Sequence, residues 1–139
     1  KNGDFDCLEL GNLDASRDWG FAGDYVKGMW MMLNNDIPQD YVLSTGMTHT
    51  IKEYIEEVSQ YYDFNILWNG TDEEMGGIDT KSNKEIIKIN PKYYRPTEVD
   101  ILKGNPSKAQ NELGWKNEVN FKELAKMMAE SDLKKYYKK

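Results

Sequence analysis

The segment LGNLDASRDWG, residues 10–20, joins two stretches of chain with different hydrophobic periods. Before it, apolar and acidic residues alternate over residues 5–10, which is typical of a half-exposed strand. After it, apolar residues recur at helical spacing over residues 21–33, and the asparagines and proline that follow end the predicted helix. Residues 11–14 predict a turn, so the segment leads from a strand into a helix.

A second strand and helix are predicted further along the chain. Residues 41–44, YVLS, form a short apolar run that predicts a strand. Thr50 and Glu53 have the spacing of a capping box, and the apolar residues after them predict a helix to about residue 62. A strand–helix–strand–helix order predicts part of a layered α/β protein.

The middle of the sequence is less regular. Residues 64–68 and 86–89 predict two strands. Between them, residues 71–85 are polar and acidic and contain glycine, so we expect a mobile loop there.

Two further helices are predicted in the last third of the chain. Asn105 is a candidate N-cap followed by Pro106 at the first helical position, and Gly114 is a candidate stop. Asn120 is a candidate N-cap for the last helix, whose terminal lysines complement the helix dipole.

Composition excludes several classes of function. The chain has 139 residues and a formal net charge of −6, which argues against non-specific binding of nucleic acid. Its longest apolar run is six residues, far below the roughly 18 that a membrane span requires. We find no signal peptide, and a single cysteine suits a reducing compartment, so we expect a cytoplasmic protein. One histidine and one cysteine also exclude an ordinary zinc site.

The familiar catalytic motifs are missing. None of the eleven glycines forms Gly-x-Gly-x-x-Gly or Gly-x-x-Gly-x-x-Gly, so the chain has no dinucleotide-binding turn. No tyrosine has a lysine four residues later, and no Gly-x-Ser-x-Gly elbow occurs. We therefore assign no catalytic residue to this chain.

The basic residues are nearly all lysines. Of the 18 lysines and arginines, only Arg17 and Arg95 are arginines. A guanidinium offers a rigid, planar pair of donors that lysine cannot imitate, and it suits phosphate or carboxylate. From counting alone, two accidental arginines are as good an explanation.

Three segments carry a family resemblance: LGNLDASRDWG (10–20), DYV (24–26) and YYRPTEVD (93–100). Together they resemble the C-terminal part of the GDP-mannose 4,6-dehydratases, which are extended short-chain dehydrogenase/reductases acting on a nucleotide sugar. The similarity covers essentially the whole chain, with residues 41–46, 103–106 and 113–116 in matching order. The first and third segments as a pair are specific to this family, whereas the element RD (17–18) with DYV (24–26) alone indicates only the broader superfamily.

The resemblance implies an α/β protein with an NADP-carrying, Rossmann-type N-terminal region and a smaller substrate region. Residues 1–139 would be a C-terminal portion, with about 1–46 supplying the last elements of the Rossmann part. The family's glycine-rich turn and catalytic groups lie upstream of the matched region, so we expect the 139 residues alone to be inactive. Without most of its sheet, such a portion should expose the apolar face of the helix that holds Trp30.

The resemblance also implies a substrate site. In the family, the arginines matching Arg17 and Arg95 contact the diphosphate end of the GDP-sugar, and the glutamate matching Glu98 holds a ribose. The alternative is that Arg95–Glu98 or Arg17–Asp18 is a surface ion pair, worth roughly 0–1 kcal/mol. Phe21 stands where the family usually has histidine, which leaves that histidine's role without a counterpart here.

The reaction implied for the complete protein is that of a lyase in GDP-fucose biosynthesis, which removes water from GDP-mannose to give GDP-4-keto-6-deoxymannose. The expected partners are GDP-mannose or GDP, and the complete enzyme is expected to be a homo-oligomer. Two alternatives remain open. One is a stand-alone nucleotide-binding or interaction module without catalysis, and the other is a dehydratase or epimerase for another nucleotide sugar.

Overall fold

Short strands and four α-helices alternate along the part of the chain that the structure describes. The computed structural model describes residues 7–95 and 101–136. Its elements are β1 (Leu8–Leu10), β2 (Ser16–Arg17), α1 (Ala22–Leu33), β3 (His49–Thr50), α2 (Ile51–Ser59), β4 (Ile66–Asn69), β5 (Gly76–Asp79), β6 (Lys84–Ile89), β7 (Ile101–Leu102), α3 (Ser107–Leu113) and α4 (Phe121–Tyr136). Short 3-10 helices at Gln60–Tyr62 and Asp72–Glu74 follow α2 and β4.

The strands form two small sheets. The larger has the order β1-β6-β5-β4, in which β1 is parallel to β6 and the other neighbours are antiparallel. The smaller has the order β3-β2-β7, with β2 antiparallel to β3 and parallel to β7. Since β1 and β2 are close in sequence, the turn between them connects the two sheets.

The core lies between the larger sheet and α2. Its buried apolar residues are Leu13, Ile55, Met75, Ile87 and Ile89. On its other side α2 packs on α4, where Ala125 and Ala129 are buried. The small side chains of the two alanines let the helices approach closely.

Two predicted helix starts are confirmed. The Thr50 hydroxyl accepts from the Glu53 backbone N–H and the Glu53 carboxylate accepts from the Thr50 backbone N–H, so both halves of the capping box are present. Asn120 and Glu123 make the same reciprocal pair, at 2.9 and 3.0 Å, where α4 begins. Both pairs lie within four residues of chain, so the local sequence was sufficient to predict them.

The start of α3 differs by one residue from the prediction. Pro106, not Asn105, is the N-cap, and the Asn105 side chain accepts from the backbone N–H and hydroxyl of Ser107 at 3.1 and 2.7 Å. Gly114 ends the helix with a φ of 66°, a left-handed conformation that glycine adopts without a Cβ clash.

The mobile loop predicted for residues 71–85 is wrong. These residues include the 3-10 turn at Asp72–Glu74, strand β5 and the start of β6. Gly77 is buried in β5, where a Cβ would meet Ile66, Trp68 and Ile87 at 3.1–3.3 Å. Its large neighbours leave little room for a side chain, so glycine fits this strand, although its sequence propensity indicated a loop.

The strand predicted for residues 41–44 is also wrong. The segment has no ladder partner among the residues that the structure describes, and it runs as irregular chain. A strand is defined by its pairing, which an apolar run alone does not guarantee.

Helix α1 forms as predicted, but its apolar face does not enter the core. Its buried residues are Asp24 and Gly28, which face the segment after α3. The exposed apolar side chains are Val26 (62%), Met29 (56%), Trp30 (64%) and Leu33 (86%). The expectation that the helix holding Trp30 exposes apolar surface is confirmed.

Two features are absent from the described residues, 7–95 and 101–136. None of their helices combines the length and apolar content that crossing a membrane requires. They also contain no group of three or more His, Cys, Asp or Glu side chains arranged to hold a metal ion.

Candidate functional site

A cavity of about 220 Å³ opens at the junction of the two sheets. The end of β1, strand β2, the start of α2 and the turn after β6 all contribute to its wall. Its lining residues are Leu10, Gly11, Asn12, Ala15, Arg17, Ile51, Tyr93 and Arg95. The cavity is therefore built from segments that are distant in sequence.

Arg17 enters the cavity from the central strand of the smaller sheet. It is half-buried, and its backbone pairs with His49 on one side and Leu102 on the other. Its Nη1 donates to the carbonyl of Ser16 at 2.8 Å. Pairing on both sides fixes the direction from which the guanidinium approaches the cavity.

Arg95 enters from the turn that follows β6. In that turn the Tyr93 N–H donates to the Asn90 carbonyl at 2.9 Å, and the Tyr94 N–H donates to the Pro91 carbonyl at 3.2 Å. Arg95 itself is exposed. It thus stands at the mouth of the cavity, on a turn whose backbone groups are hydrogen-bonded.

The structure brings two of the three predicted site residues together. Arg17 and Arg95 line the same cavity, whereas Glu98 lies outside the described residues. In the described lining, both charged side chains are cations. A concave site whose described lining carries two arginines and no acidic residue favours a small anion, even though the whole chain carries a net charge of −6.

Two polar lining residues were missed by the sequence reasoning. Asn12 lies in the turn after β1, where its Oδ1 accepts from the Asp14 backbone N–H at 2.9 Å. Tyr93 lies two residues before Arg95 and also lines the cavity. Both belong to the segments that carry the family resemblance, and that position was the available signal.

Asp18, the residue after Arg17, binds a different segment of the chain. The Asp18 carboxylate accepts from the N–H and the hydroxyl of Thr45, at 2.8 and 2.7 Å, and from the N–H of Gly46 at 2.9 Å. Adjacent side chains of an extended segment point to opposite faces. Arg17 therefore lines the cavity, while Asp18 accepts hydrogen bonds from residues 45–46 on the other face.

A second cavity, of about 280 Å³, lies on the far side of β3. Three of its lining residues, Trp19, His49 and Phe121, carry aromatic rings. Trp19 stacks on Tyr54 with ring centroids 5.0 Å apart, and the His49 ring stacks on Phe121 at 3.8 Å. The Trp19 Nε1 donates to the His49 carbonyl at 3.0 Å, so this cluster joins β3 to the start of α4.

Among the described residues, the segment that holds Gly20 and Gly23 does not fit a dinucleotide. Gly20 and Gly23 come closest to the required glycine pattern, but other side chains fill the space beside them. A Cβ on Gly20 would lie 1.8 Å from the Tyr25 hydroxyl, and one on Gly23 would lie 2.4 Å from the Phe21 ring. No approach for a pyrophosphate remains at this turn.

Comparison with known proteins identifies the family. The family model described as GDP-mannose 4,6 dehydratase matches residues 1–128. The chain is 46% identical to the GDP-mannose 4,6 dehydratase of Cricetulus griseus over 131 residues, which are 94% of this chain and 35% of that protein. It is 47% identical to that of Drosophila melanogaster over 126 residues, 91% of this chain and 32% of that protein. The chain spans about a third of the length of these relatives.

Solved structures show the same fold at low identity. RMD from Pseudomonas aeruginosa, complexed with NADPH, superposes with a TM-score of 0.65 at 19% identity, covering 90% of this chain and 35% of that one. UDP-glucose 4-epimerase from Bifidobacterium longum, in complex with NAD+ and UDP, gives 0.67 at 20% identity, covering 95% and 36%. The predicted fold class, an α/β arrangement of helices and short strands, is confirmed. The chain belongs to the GDP-mannose 4,6-dehydratase family.

Proposed function

We propose that this chain is the part of a GDP-mannose 4,6-dehydratase that binds the GDP end of the substrate. The complete enzyme, a lyase of GDP-fucose biosynthesis, would convert GDP-mannose to GDP-4-keto-6-deoxymannose. NADP and the catalytic groups would be held outside these 139 residues, so the chain alone would be inactive. Family membership supports the activity of the complete protein.

One observation carries the assignment of the GDP end to this region. Arg17 on β2 and Arg95 on the turn after β6 line one cavity, although 77 residues separate them in the sequence. A diphosphate presents oxygens on two phosphorus atoms, and two guanidinium groups can each engage it in a bidentate manner. This convergence favours ligand binding over two unrelated surface arginines.

Such contacts would act on the reaction from a distance. The diphosphate is remote from the carbons of the sugar that react, so binding energy gained there would fix the sugar in the orientation that the catalytic groups require. Glu98 completes the proposed site, where its carboxylate would accept hydrogen bonds from two neighbouring ribose hydroxyls.

The remaining parts of the proposal rest on the resemblance and on composition. The complete enzyme would be a homo-oligomer, as the family resemblance implies. It would work in the cytoplasm, because a single cysteine suits a reducing compartment.

The variant Arg95→Ala in the protein that carries this region tests the proposal. Loss of a charge-assisted contact to phosphate should raise the Kd for GDP-mannose roughly 10- to 100-fold and leave the Kd for NADP within about twofold. Isothermal titration calorimetry measures both constants. Lys92→Ala, which removes an exposed cation from the same turn, is the matched control and should change neither constant.

Two results would contradict the proposal. Equal losses of affinity for GDP-mannose and NADP would show a general structural defect, and an equal effect of Lys92→Ala would show a diffuse charge effect. Titrations with UDP and dTDP complete the experiment, since binding as tight as that of GDP would assign the site to another nucleotide sugar.

A further inference from the structure

The turn that carries Arg95 is attached to the end of β1 through one asparagine. The Asn90 N–H donates to the Leu10 carbonyl at 2.8 Å, and its carbonyl accepts from the Tyr93 N–H at 2.9 Å. Its Nδ2 donates to Glu9 Oε2 at 2.6 Å, and its Oδ1 accepts from the Lys92 N–H at 3.0 Å. All four polar groups of Asn90 are therefore used, two toward β1 and two within the turn.

The acceptor on β1 is itself held in place. Glu9 Oε1 pairs with the Lys88 ammonium at 2.8 Å, which leaves Oε2 directed at Asn90. The hydrogen bonds from Lys88 and then Asn90 lower the pKa of the Glu9 carboxyl, so it remains an ionised acceptor at neutral pH. The parallel pair β1 and β6 thus ends in a short network that leads directly into the turn.

Gly11 permits the close approach of the turn to this end of the sheet. A Cβ at this position would lie 2.5 Å from the Tyr93 carbonyl oxygen and 3.1 Å from its carbonyl carbon. These are backbone atoms, which cannot rotate away as a side chain would, so any other residue would push the turn outward. Gly11 and Tyr93 both line the cavity that Arg17 and Arg95 share.

From these contacts we infer that Gly11 and Asn90 are positioning residues, which set the separation of the Arg17 and Arg95 side chains so that a nucleoside diphosphate bridges them. The inference rests on the proposed function, because it concerns the same cavity. Arg17 is fixed by strand pairing, so a shift of the turn changes this separation by moving Arg95. A diphosphate depends on both guanidinium groups, whereas a monophosphate can be held by one.

The experiment compares the Kd values for GDP and GMP by calorimetry in the protein that carries this region. Gly11→Ala should raise the Kd for GDP about tenfold and that for GMP less than about threefold. Gly23→Ala is the matched control, because the atoms nearest its Cβ belong to the Phe21 ring, a side chain that can turn, and Gly23 is not a lining residue of the cavity. It should change neither constant.

A second set of variants covers the case in which Gly11→Ala does not fold. Asn90→Asp keeps the acceptor for the Lys92 N–H but places a carboxylate against Glu9, so it should weaken GDP binding selectively in the same way. Adding Glu9→Gln to Asn90→Asp restores a donor–acceptor pair with its direction reversed. The double variant should return the Kd for GDP to within about threefold of the starting value.

The outcomes separate this inference from the proposed function. If Arg95→Ala weakens GDP binding but Gly11→Ala and Asn90→Asp do not, or if both weaken GDP and GMP equally, only the positioning role is overturned. If Arg95→Ala itself leaves GDP binding unchanged, the proposed function fails. Selective loss for GDP in the single variants with recovery in the double variant supports the inference.

Discussion

At the residue scale, the two arginines differ from the sixteen lysines in where the fold places them. Both arginines line one cavity, and no lysine is among the lining residues in the described part of the chain. Lysine suits general surface charge, whereas a planar guanidinium suits oriented contacts with phosphate. Scarcity of arginine marked these two positions in the sequence, but only the tertiary structure shows that they meet.

Asp79 shows how one carboxylate organises the turn between β5 and β6. Its oxygens accept from the Ser82 hydroxyl at 2.6 Å, the Ser82 N–H at 3.0 Å and the Asn65 N–H at 3.1 Å. These bonds, above all the one from the Ser82 hydroxyl, lower the pKa of Asp79 from 3.8 to about 2. The Lys81 N–H also donates to it at 3.4 Å, so a proton added to this carboxylate would remove an acceptor that four donors share.

We predict that Asp79 makes the stability of the chain depend on acid pH. The folded pKa is lower than the unfolded one, so the stabilisation is fully present above 3.8 and is lost as pH falls through about 2. Thermal unfolding from about pH 5 to pH 2 should show Asp79→Asn with a lower Tm above pH 4 and a weaker loss on acidification. The control is Asp36→Asn at an exposed position. Identical acid profiles for the two variants would contradict this role.

At the element scale, α1 is fixed to the C-terminal third of the chain through its polar side. The buried Asp24 carboxylate accepts from the backbone N–H groups of Glu118 and Val119 at 2.9 and 3.1 Å. The Asp24 carbonyl also accepts from the indole N–H of Trp115 at 2.8 Å. The sequence indicated an amphipathic helix, but periodicity marked only its apolar face, and that face is exposed.

Asp24→Ala should weaken the attachment of α1 to residues 118–119. Two backbone donors would lose their acceptor in a buried place, which costs about 1–3 kcal/mol in the free energy of unfolding. Denaturant unfolding measures the difference. Lys27→Ala, which breaks the exposed ion pair with Glu118, serves as the control and should change the free energy of unfolding much less, because solvent screens an exposed pair. A similar small loss for both variants would show that the carboxylate does not hold the segment.

The elements that the sequence predicted well are those whose causes are local. The capping boxes at Thr50 and Asn120 involve groups three residues apart, and both form. The elements that it missed depend on distant partners. Strand β5 pairs with β4 on one side and β6 on the other, whereas residues 41–44 lack a partner strand among the described residues.

At the scale of the whole molecule, the order and pairing of the strands form the cavity that Arg17 and Arg95 line. The turn after β1 connects the two sheets, and the parallel pairing of β1 with β6 brings the turn carrying Arg95 to the same junction as β2. No local sequence pattern shows which strands pair. The family resemblance therefore predicted Arg17 and Arg95 as site residues, but the sequence could not predict the cavity that they line. The role of Glu98, outside the described residues, stays a prediction.

The central claim is that Arg17 and Arg95 together bind a diphosphate. A crystal structure of the protein that carries this region, with GDP bound, tests it most directly. The account predicts that guanidinium nitrogens of both residues lie within about 3.2 Å of diphosphate oxygens, in hydrogen-bonding geometry. GDP bound elsewhere, or held by one of the two guanidinium groups alone, would contradict it.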